Sequence, residues 1–149
     1  MKEAFKEAQK AFDLDEVPVG AVITHKNKII ARAHNQVEQL KDPTAHAEML
    51  SLTSACNFMD NKWLLDCAIY VTIEPCSMCV GALVLSRIKK IVFGAKDMKT
   101  GACGSIINLA NSNKLNHRIE VKSGILKEDC SLLMTEFFKA KRRRSSSNN

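Results

Sequence analysis

Four residues of this 149-residue chain have the types and the spacing to do chemistry at one centre: His46, Glu48, Cys76 and Cys79. The first pair lies in "DPTAHAEML", residues 42–50, and the second in "EPCSMC", residues 74–79. Asp42 followed by Pro43 is a helix start signal, an N-cap acceptor and then a proline whose missing N–H costs nothing in a first turn. Ala45, Ala47, Met49, Leu50 and Leu52 supply an apolar lining, which His46 and Glu48 interrupt. An ordinary reading makes His46 a hydrogen-bonded core residue and Glu48 a capping-box or helix-dipole acid. The capping box fails on spacing: the positions three beyond Asp42 and Thr44 are both alanine.

Pro75 is well placed to begin a second helix, with Cys76 and Cys79 three apart in its first turn and their sulfurs on one face. A helix N-terminus favours thiolate over thiol, so this is half a zinc site, although a lone C-x-x-C also suits a redox pair. His46 offers a third ligand. His25, His34 and His117 lack suitable spacing for a fourth. Structural zinc takes four protein ligands, whereas catalytic zinc keeps a position for water. Two thiolates cancel the charge of Zn²⁺, so a carboxylate must help to take the proton of that water. Glu48 stands two residues beyond His46, about 200° around a regular helix. That offset suits a base curling over the open position better than a fourth ligand.

The elements that must position these residues follow from hydrophobic period. Ala4, Phe5, Ala8, Ala11 and Phe12 place an amphipathic helix over 2–14. Strands are expected at 19–25 and in "IIARAH", joined by a turn at 26–28. A polar loop spans 35–43 and a helix 44–58. "AIYVTI", 68–73, is apolar at nearly every position, as a central strand covered on both faces should be. A helix at about 76–86, strands in "KKIVFGA" and "HRIEVKS", and a final helix over 126–141 complete the chain. Leu126, Leu132, Leu133, Phe137 and Phe138 are expected to face inward from that last helix. Strands alternating with helices after a hairpin describe an α/β layered domain with a largely parallel sheet. The loop over 94–105, "GAKDMKTGACGS", is long enough to be functional or a plain connector.

A hydrophobic content of 46% supports a folded core. No apolar run approaches the roughly 20 residues of a membrane span. The N-terminus lacks the continuous apolar stretch of a signal peptide, so a soluble, intracellular protein is expected. Cys56, Cys67, Cys103 and Cys130 are scattered and read as small buried hydrophobes. The net charge of +6 is concentrated in "KAKRRR", 139–144, which suits a nucleic-acid contact, or a solubilising or targeting tail. "SSSNN", 145–149, should be disordered.

"HAE" paired with "PCSMC" matches the H-x-E…P-C-x-x-C signature of zinc-dependent nucleobase deaminases. Together with "EVPVGAVI", "AHN", "DPTAHAE", "YVTIEPCSMC", "SRIKKIVFGA", "KTGACGS", "NHRIEV" and "FFKAKRRR", the chain resembles the bacterial tRNA-specific adenosine deaminases over residues 4–144. These belong to the zinc-dependent cytidine/deoxycytidylate deaminase superfamily. The resemblance implies an α/β fold, a three-layer α/β/α sandwich of the cytidine deaminase-like kind with a five-stranded mixed sheet. It implies one deaminase domain over 1–144, one Zn²⁺ per subunit, a cytoplasmic homodimer and a tRNA anticodon stem-loop as partner. The implied reaction is hydrolytic conversion of the wobble adenosine to inosine, with release of ammonia. His46, Cys76 and Cys79 match the zinc ligands, and Glu48 the proton shuttle. Asn35 matches a contact to the flipped nucleotide and Val17 a lining of the base pocket. Asp97 and Lys99 match a loop that meets the anticodon backbone, and Phe138, Lys141 and Arg142 a helix that grips RNA.

Local alternatives accompany these matches. Asn35 also suits a turn after the second strand, Val17 suits packing, and Asp97 suits a solvated pair with Lys96. Phe137 and Phe138 point about 100° apart on a helix, so one can be core while the other meets RNA. Two other functions fit the same motifs: deamination of free bases or nucleosides, and a structural-zinc RNA-binding module without catalysis.

Overall fold

The computed structural model describes residues 1–147. The apolar run Cys67–Ile73 forms β3, the middle strand of a five-stranded sheet ordered β2-β1-β3-β4-β5, with β1 at Gly20–His25, β2 at Lys28–His34, β4 at Lys90–Ala95 and β5 at Glu120–Lys122. β1 runs antiparallel to both β2 and β3, while β3, β4 and β5 are mutually parallel. The sheet is therefore mixed, not largely parallel as the alternation of strands and helices suggested. The cause is local: Lys26 and Asn27 both take left-handed φ, 49° and 60°, and such a two-residue turn can only reverse the chain. β5 is three residues long, shorter than "HRIEVKS" implied.

Helices cover both faces. α1 (Lys2–Asp13) and α5 (Lys127–Ser147) lie on one side, and α3 (Ala47–Met59) lies on the other with α4 (Ser77–Leu85) packed beside it. A short α2 (Val37–Leu40) follows β2. The result is a three-layer α/β/α sandwich. Register aligns Ile23, Ile69 and Ile91 in one row across the sheet, and Ala21, Val71 and Phe93 in the next. Both rows are buried in the main core, together with Leu52, Leu64, Leu83 and Ile88. On the opposite face α1 buries Ala4, Ala8 and Ala11 beside Glu7, and these small side chains let it sit close to the strands. Gly20 is required there, because a Cβ at this position would overlap the backbone of Ala4 and Ala8.

The last helix corrects two expectations. It starts at Lys127, after Leu126 in a left-handed conformation with φ 56°, and its inward stripe is Cys130, Met134 and Phe137. Leu132 lies about 200° around the helix from Cys130 and is exposed at 57%. The helix also continues past Arg144: Ser145–Ser147, expected in a disordered tail, extend it. The hydroxyls of Ser146 and Ser147 donate to the carbonyls of Arg142 and Arg143. Asn148 and Asn149 of that expected tail lie outside the described residues. Among the described residues no helix is long and apolar enough to cross a membrane.

Candidate active site

Both ligand-bearing segments sit at helix starts, with His46 and Cys76 just before their helices rather than inside them. α3 begins at Ala47, not 44, because Asp42 is used elsewhere: its Oδ1 accepts from the Thr44 amide at 2.8 Å and the Thr44 hydroxyl at 2.7 Å. His46 becomes the N-cap residue, with extended backbone at ψ 150°. Cys76 is likewise the N-cap of α4, at ψ 174°, rather than a first-turn residue. Pairing with the loop beyond β4 keeps this stretch extended. The Ala102 amide donates to the Pro75 carbonyl at 2.9 Å, and Cys76 forms an isolated bridge with Gly101. Two helix N-termini thus converge beyond the C-terminal end of β3. Strand order reverses between β1 and β3, and in open α/β sheets ligands bind beyond the strand ends at such a switch point.

His46 Nδ1 lies 3.7 Å from Cys76 Sγ and 3.5 Å from Cys79 Sγ, and the three ligand atoms all lie within 4.8 Å of one another. Tetrahedral zinc with ordinary Zn–S and Zn–N bonds spaces a sulfur and a nitrogen about 3.6 Å apart. The donor set fits that ion in both chemistry and spacing. The three groups otherwise contend for protons. The Cys79 thiol and then His46 hold Cys76 down to about 4, despite its partial burial. Cys76 and burial push the Cys79 thiol up, and hydrogen bonding to Cys76 raises the His46 imidazole. A divalent cation replaces these protons and removes the conflict.

Glu48, in the first turn of α3, is buried beside this cluster, and the burial pushes its carboxyl up from the ordinary range. Its Oε1 has no hydrogen-bond partner. A buried polar atom left unpaired is costly and needs a reason. Two other buried acids line the same cavity in a different condition. Glu16 accepts from the Gln39 amide at 2.6 Å, the Glu38 amide at 3.1 Å and Asn35 Nδ2 at 3.4 Å. Glu74 accepts from the amides of Cys103, Ser105 and Asp97, and from the Ser105 hydroxyl. Among the three, only Glu48 keeps an oxygen free to take a proton.

The cavity has a volume of about 570 Å³. His46, Glu48 and Cys76 line it, and so do Val17, Asn35, Asp97, Lys99 and Phe138. Asn35 serves both suggested ends: its amide N–H donates to the Val19 carbonyl after β2, and its side chain faces the cavity. Phe137 is core at 3% exposure, and Phe138, at 43%, is on the cavity wall. The Asp97 carboxylate is not paired with Lys96. It accepts from the Lys99 amide, the Thr100 amide and the Thr100 hydroxyl. Partial burial works to raise its pKa, but these donors, the Thr100 hydroxyl foremost, leave it lowered.

Two expected residues lie off this wall. Lys141 Nζ pairs with Asp15 Oδ2 at 2.8 Å and lines a smaller neighbouring cavity, while Arg142 is exposed on α5. Glu16 and Glu74 were not singled out from the sequence. Their signal was an acid beside an apolar strand, in "DEVPVG" and "VTIEPC", with no basic residue next to it. Cys56 and Cys103 are only partly buried, while Cys67 and Cys130 are buried as expected.

A family model for MafB19-like deaminases matches residues 1–142. The tRNA-specific adenosine deaminase of Aquifex aeolicus (strain VF5) is 51% identical over 139 residues, which cover 93% of this chain and 91% of the relative. The tRNA-specific adenosine deaminase of Bacillus subtilis (strain 168) is 48% identical over 144 residues, covering 97% and 89%. A solved structure from work on A-to-I editing by tRNA:A34 deaminases at the wobble position of transfer RNA superposes with a TM-score of 0.86. It is 36% identical, with 89% of this chain and 96% of that one covered. A guanine deaminase from Nitrosomonas europaea, 24% identical, shares the fold at a TM-score of 0.75 over 90% of this chain and 80% of its own.

Proposed function

This chain belongs to the tRNA-specific adenosine deaminases, within the MafB19-like deaminase family, and we propose that it deaminates the wobble adenosine of a tRNA anticodon loop to inosine with release of ammonia. The observation that carries this reading is a three-donor cluster beside a buried carboxylate with one unpaired oxygen, in a cavity of about 570 Å³. His46, Cys76 and Cys79 would hold one Zn²⁺, which supplies Lewis-acid activation of water. Glu48 Oε1 would accept one proton of the attacking water and deliver it to N1 of adenine as the water oxygen bonds to C6. Glu48 would then take the second proton from that oxygen and pass it to the amino nitrogen, whose bond to C6 breaks to release ammonia.

An adenine stacked in RNA is out of reach of Glu48, so the nucleotide must splay into the cavity. Val17 supplies an apolar wall, and Asn35 supplies a hydrogen-bonding edge held against Glu16. Asp97, Lys99 and Phe138 line the same cavity and would meet a flanking nucleotide. Lys141 and Arg142 extend the contact along α5 to phosphates further away. The protein is assigned to the cytoplasm, where tRNA is, and to a homodimer. Support for self-association is the exposed apolar set Phe58, Leu65 and Leu85 around the C-terminal ends of α3 and α4.

The deciding experiment incubates the zinc-loaded protein with an anticodon stem-loop carrying adenosine at the wobble position, with free adenosine, guanine and cytidine in parallel. Inosine should appear in the stem-loop alone. Turnover of a free base or nucleoside instead would replace this reading with a small-molecule deaminase. Binding without any turnover would favour a zinc-containing RNA-binding module.

A further inference from the structure

We propose that Glu74 is a positioning residue for the RNA-facing loop, an inference that rests on the reading of the site just given. Its carboxylate is the point about which residues 97–105 fold. Oε1 accepts from the Asp97 amide at 3.3 Å and from the Ser105 hydroxyl; Oε2 accepts from the Cys103 amide at 3.0 Å and the Ser105 amide at 3.2 Å. Four donors from both ends of a nine-residue span converge on one side chain that is itself buried. Hydrogen bonds to a charged acceptor are about twice as strong as neutral ones, and these are the means by which a loop without strand or helix gains a single shape. The Glu74 backbone is fixed in turn, because its amide donates to the Ala95 carbonyl at 2.8 Å, carrying on the β3–β4 pairing.

The loop has been shaped to admit this carboxylate. Gly101 packs over it so closely that a Cβ would overlap Glu74 Oε2 and come within 2.5 Å of the Asp97 carbonyl. Gly101 donates its amide to that same Asp97 carbonyl at 2.9 Å, closing the turn whose side-chain acceptor is Asp97. Ala102 and Gly101 then meet Pro75 and Cys76. One side chain thus ties the loop that presents Asp97 and Lys99 to the strand end that presents Cys76. Glu74 touches no reacting atom in this scheme, since its oxygens are already occupied. It acts through where it puts Asp97 and Lys99, so its loss should weaken RNA binding more than the chemical step.

Two substitutions test the lock. Glu74→Gln keeps the shape but turns one acceptor into a donor. The amide NH₂ can face the Ser105 hydroxyl, which can rotate to accept, but the Asp97 N–H on that side then loses its partner. Gly101→Ala disturbs the same packing with no change of charge. Amide hydrogen exchange, zinc content and steady-state kinetics on the stem-loop are measured for both. Exchange at Asp97 should accelerate about tenfold in Glu74→Gln, with the β3 amides unchanged and one zinc per chain retained. KM for the stem-loop should rise about tenfold while kcat stays within about threefold. Gly101→Ala should shift exchange and KM in the same direction. Unchanged exchange across 97–105 in both variants, or a fall in kcat at constant KM, overturns the proposal. Where either variant fails to fold, the other decides. Should the wild-type protein leave the stem-loop unconverted, the substrate reading fails, and the exchange arm still decides whether Glu74 holds the loop.

Discussion

Three buried carboxylates line one cavity, and their hydrogen-bond partners tell them apart. Glu16 and Glu74 are held chiefly by backbone amides and serve as struts, whereas buried Glu48 keeps Oε1 unpaired. Proton transfer by a positioned side chain contributes on the order of 10²- to 10⁴-fold. Glu48→Ala should therefore lower inosine formation by about that factor. It should also keep one zinc per chain by metal analysis, because the three donors are untouched; near-full activity in that variant would remove its role as shuttle. Cys79→Ala should instead lose the metal and the activity together. Glu48 and the ligand set were legible in the sequence because each residue type is costly where it stands and the spacing limits its uses. Glu16 and Glu74 were not, since their partners are backbone amides 22 to 31 residues away, which no spacing rule reports.

At the scale of elements, the ends of α1 and α5 are joined by Asp15, which takes Lys141 at 2.8 Å and Arg144 at 3.0 Å. Hydrogen bonding to Lys141, with Arg144 adding to it, holds the Asp15 carboxyl below its ordinary range. The unfolded chain binds that proton at a higher pH than the folded one. The link is thus fully present above the ordinary carboxylate range and is lost as pH falls through the lowered folded value. Lys141→Ala should move the Asp15 titration midpoint upward in a carbon-13 NMR titration. Arg142 has no such partner among the described residues and is exposed, which leaves it free for the phosphate contact proposed above. Arg142→Ala should reduce the slope of log binding constant against log salt by about 0.7 for a single-stranded loop, measured by fluorescence anisotropy. On the opposite end of α1, Gly20→Ala should cost about 1–3 kcal/mol in chemical denaturation, since the helix backbone leaves no room for a Cβ.

For the molecule as a whole, the proposed homodimer rests on the exposed apolar side chains at the C-terminal ends of α3 and α4. Leu85 is 80% exposed and Phe58 67%. A homodimer that buries them should be split by Leu85→Asp. Sedimentation of that variant should show a monomer where the wild type shows a dimer. The cavity draws on both helical layers and on the end of the central strand between them, which is why its lining runs from Glu16 to Phe138 along the chain.

The sequence by itself determined the chemistry. Ligand types, their count and the acid beside them follow from which side chains bind zinc and which move protons, and the alternation of apolar runs placed them at strand and helix junctions. Tertiary structure decided what depends on partners distant in sequence. Examples are the antiparallel pairing of β1 with β3, the N-cap positions of His46 and Cys76, the inward turn of Phe137 against the outward turn of Phe138, and the Glu74 lock on residues 97–105. The physical reason is one of range. Hydrophobic period and ligand chemistry are properties of a local stretch. Hydrogen bonds to loop backbones and the packing of one helix against another exist only after folding has brought those atoms together.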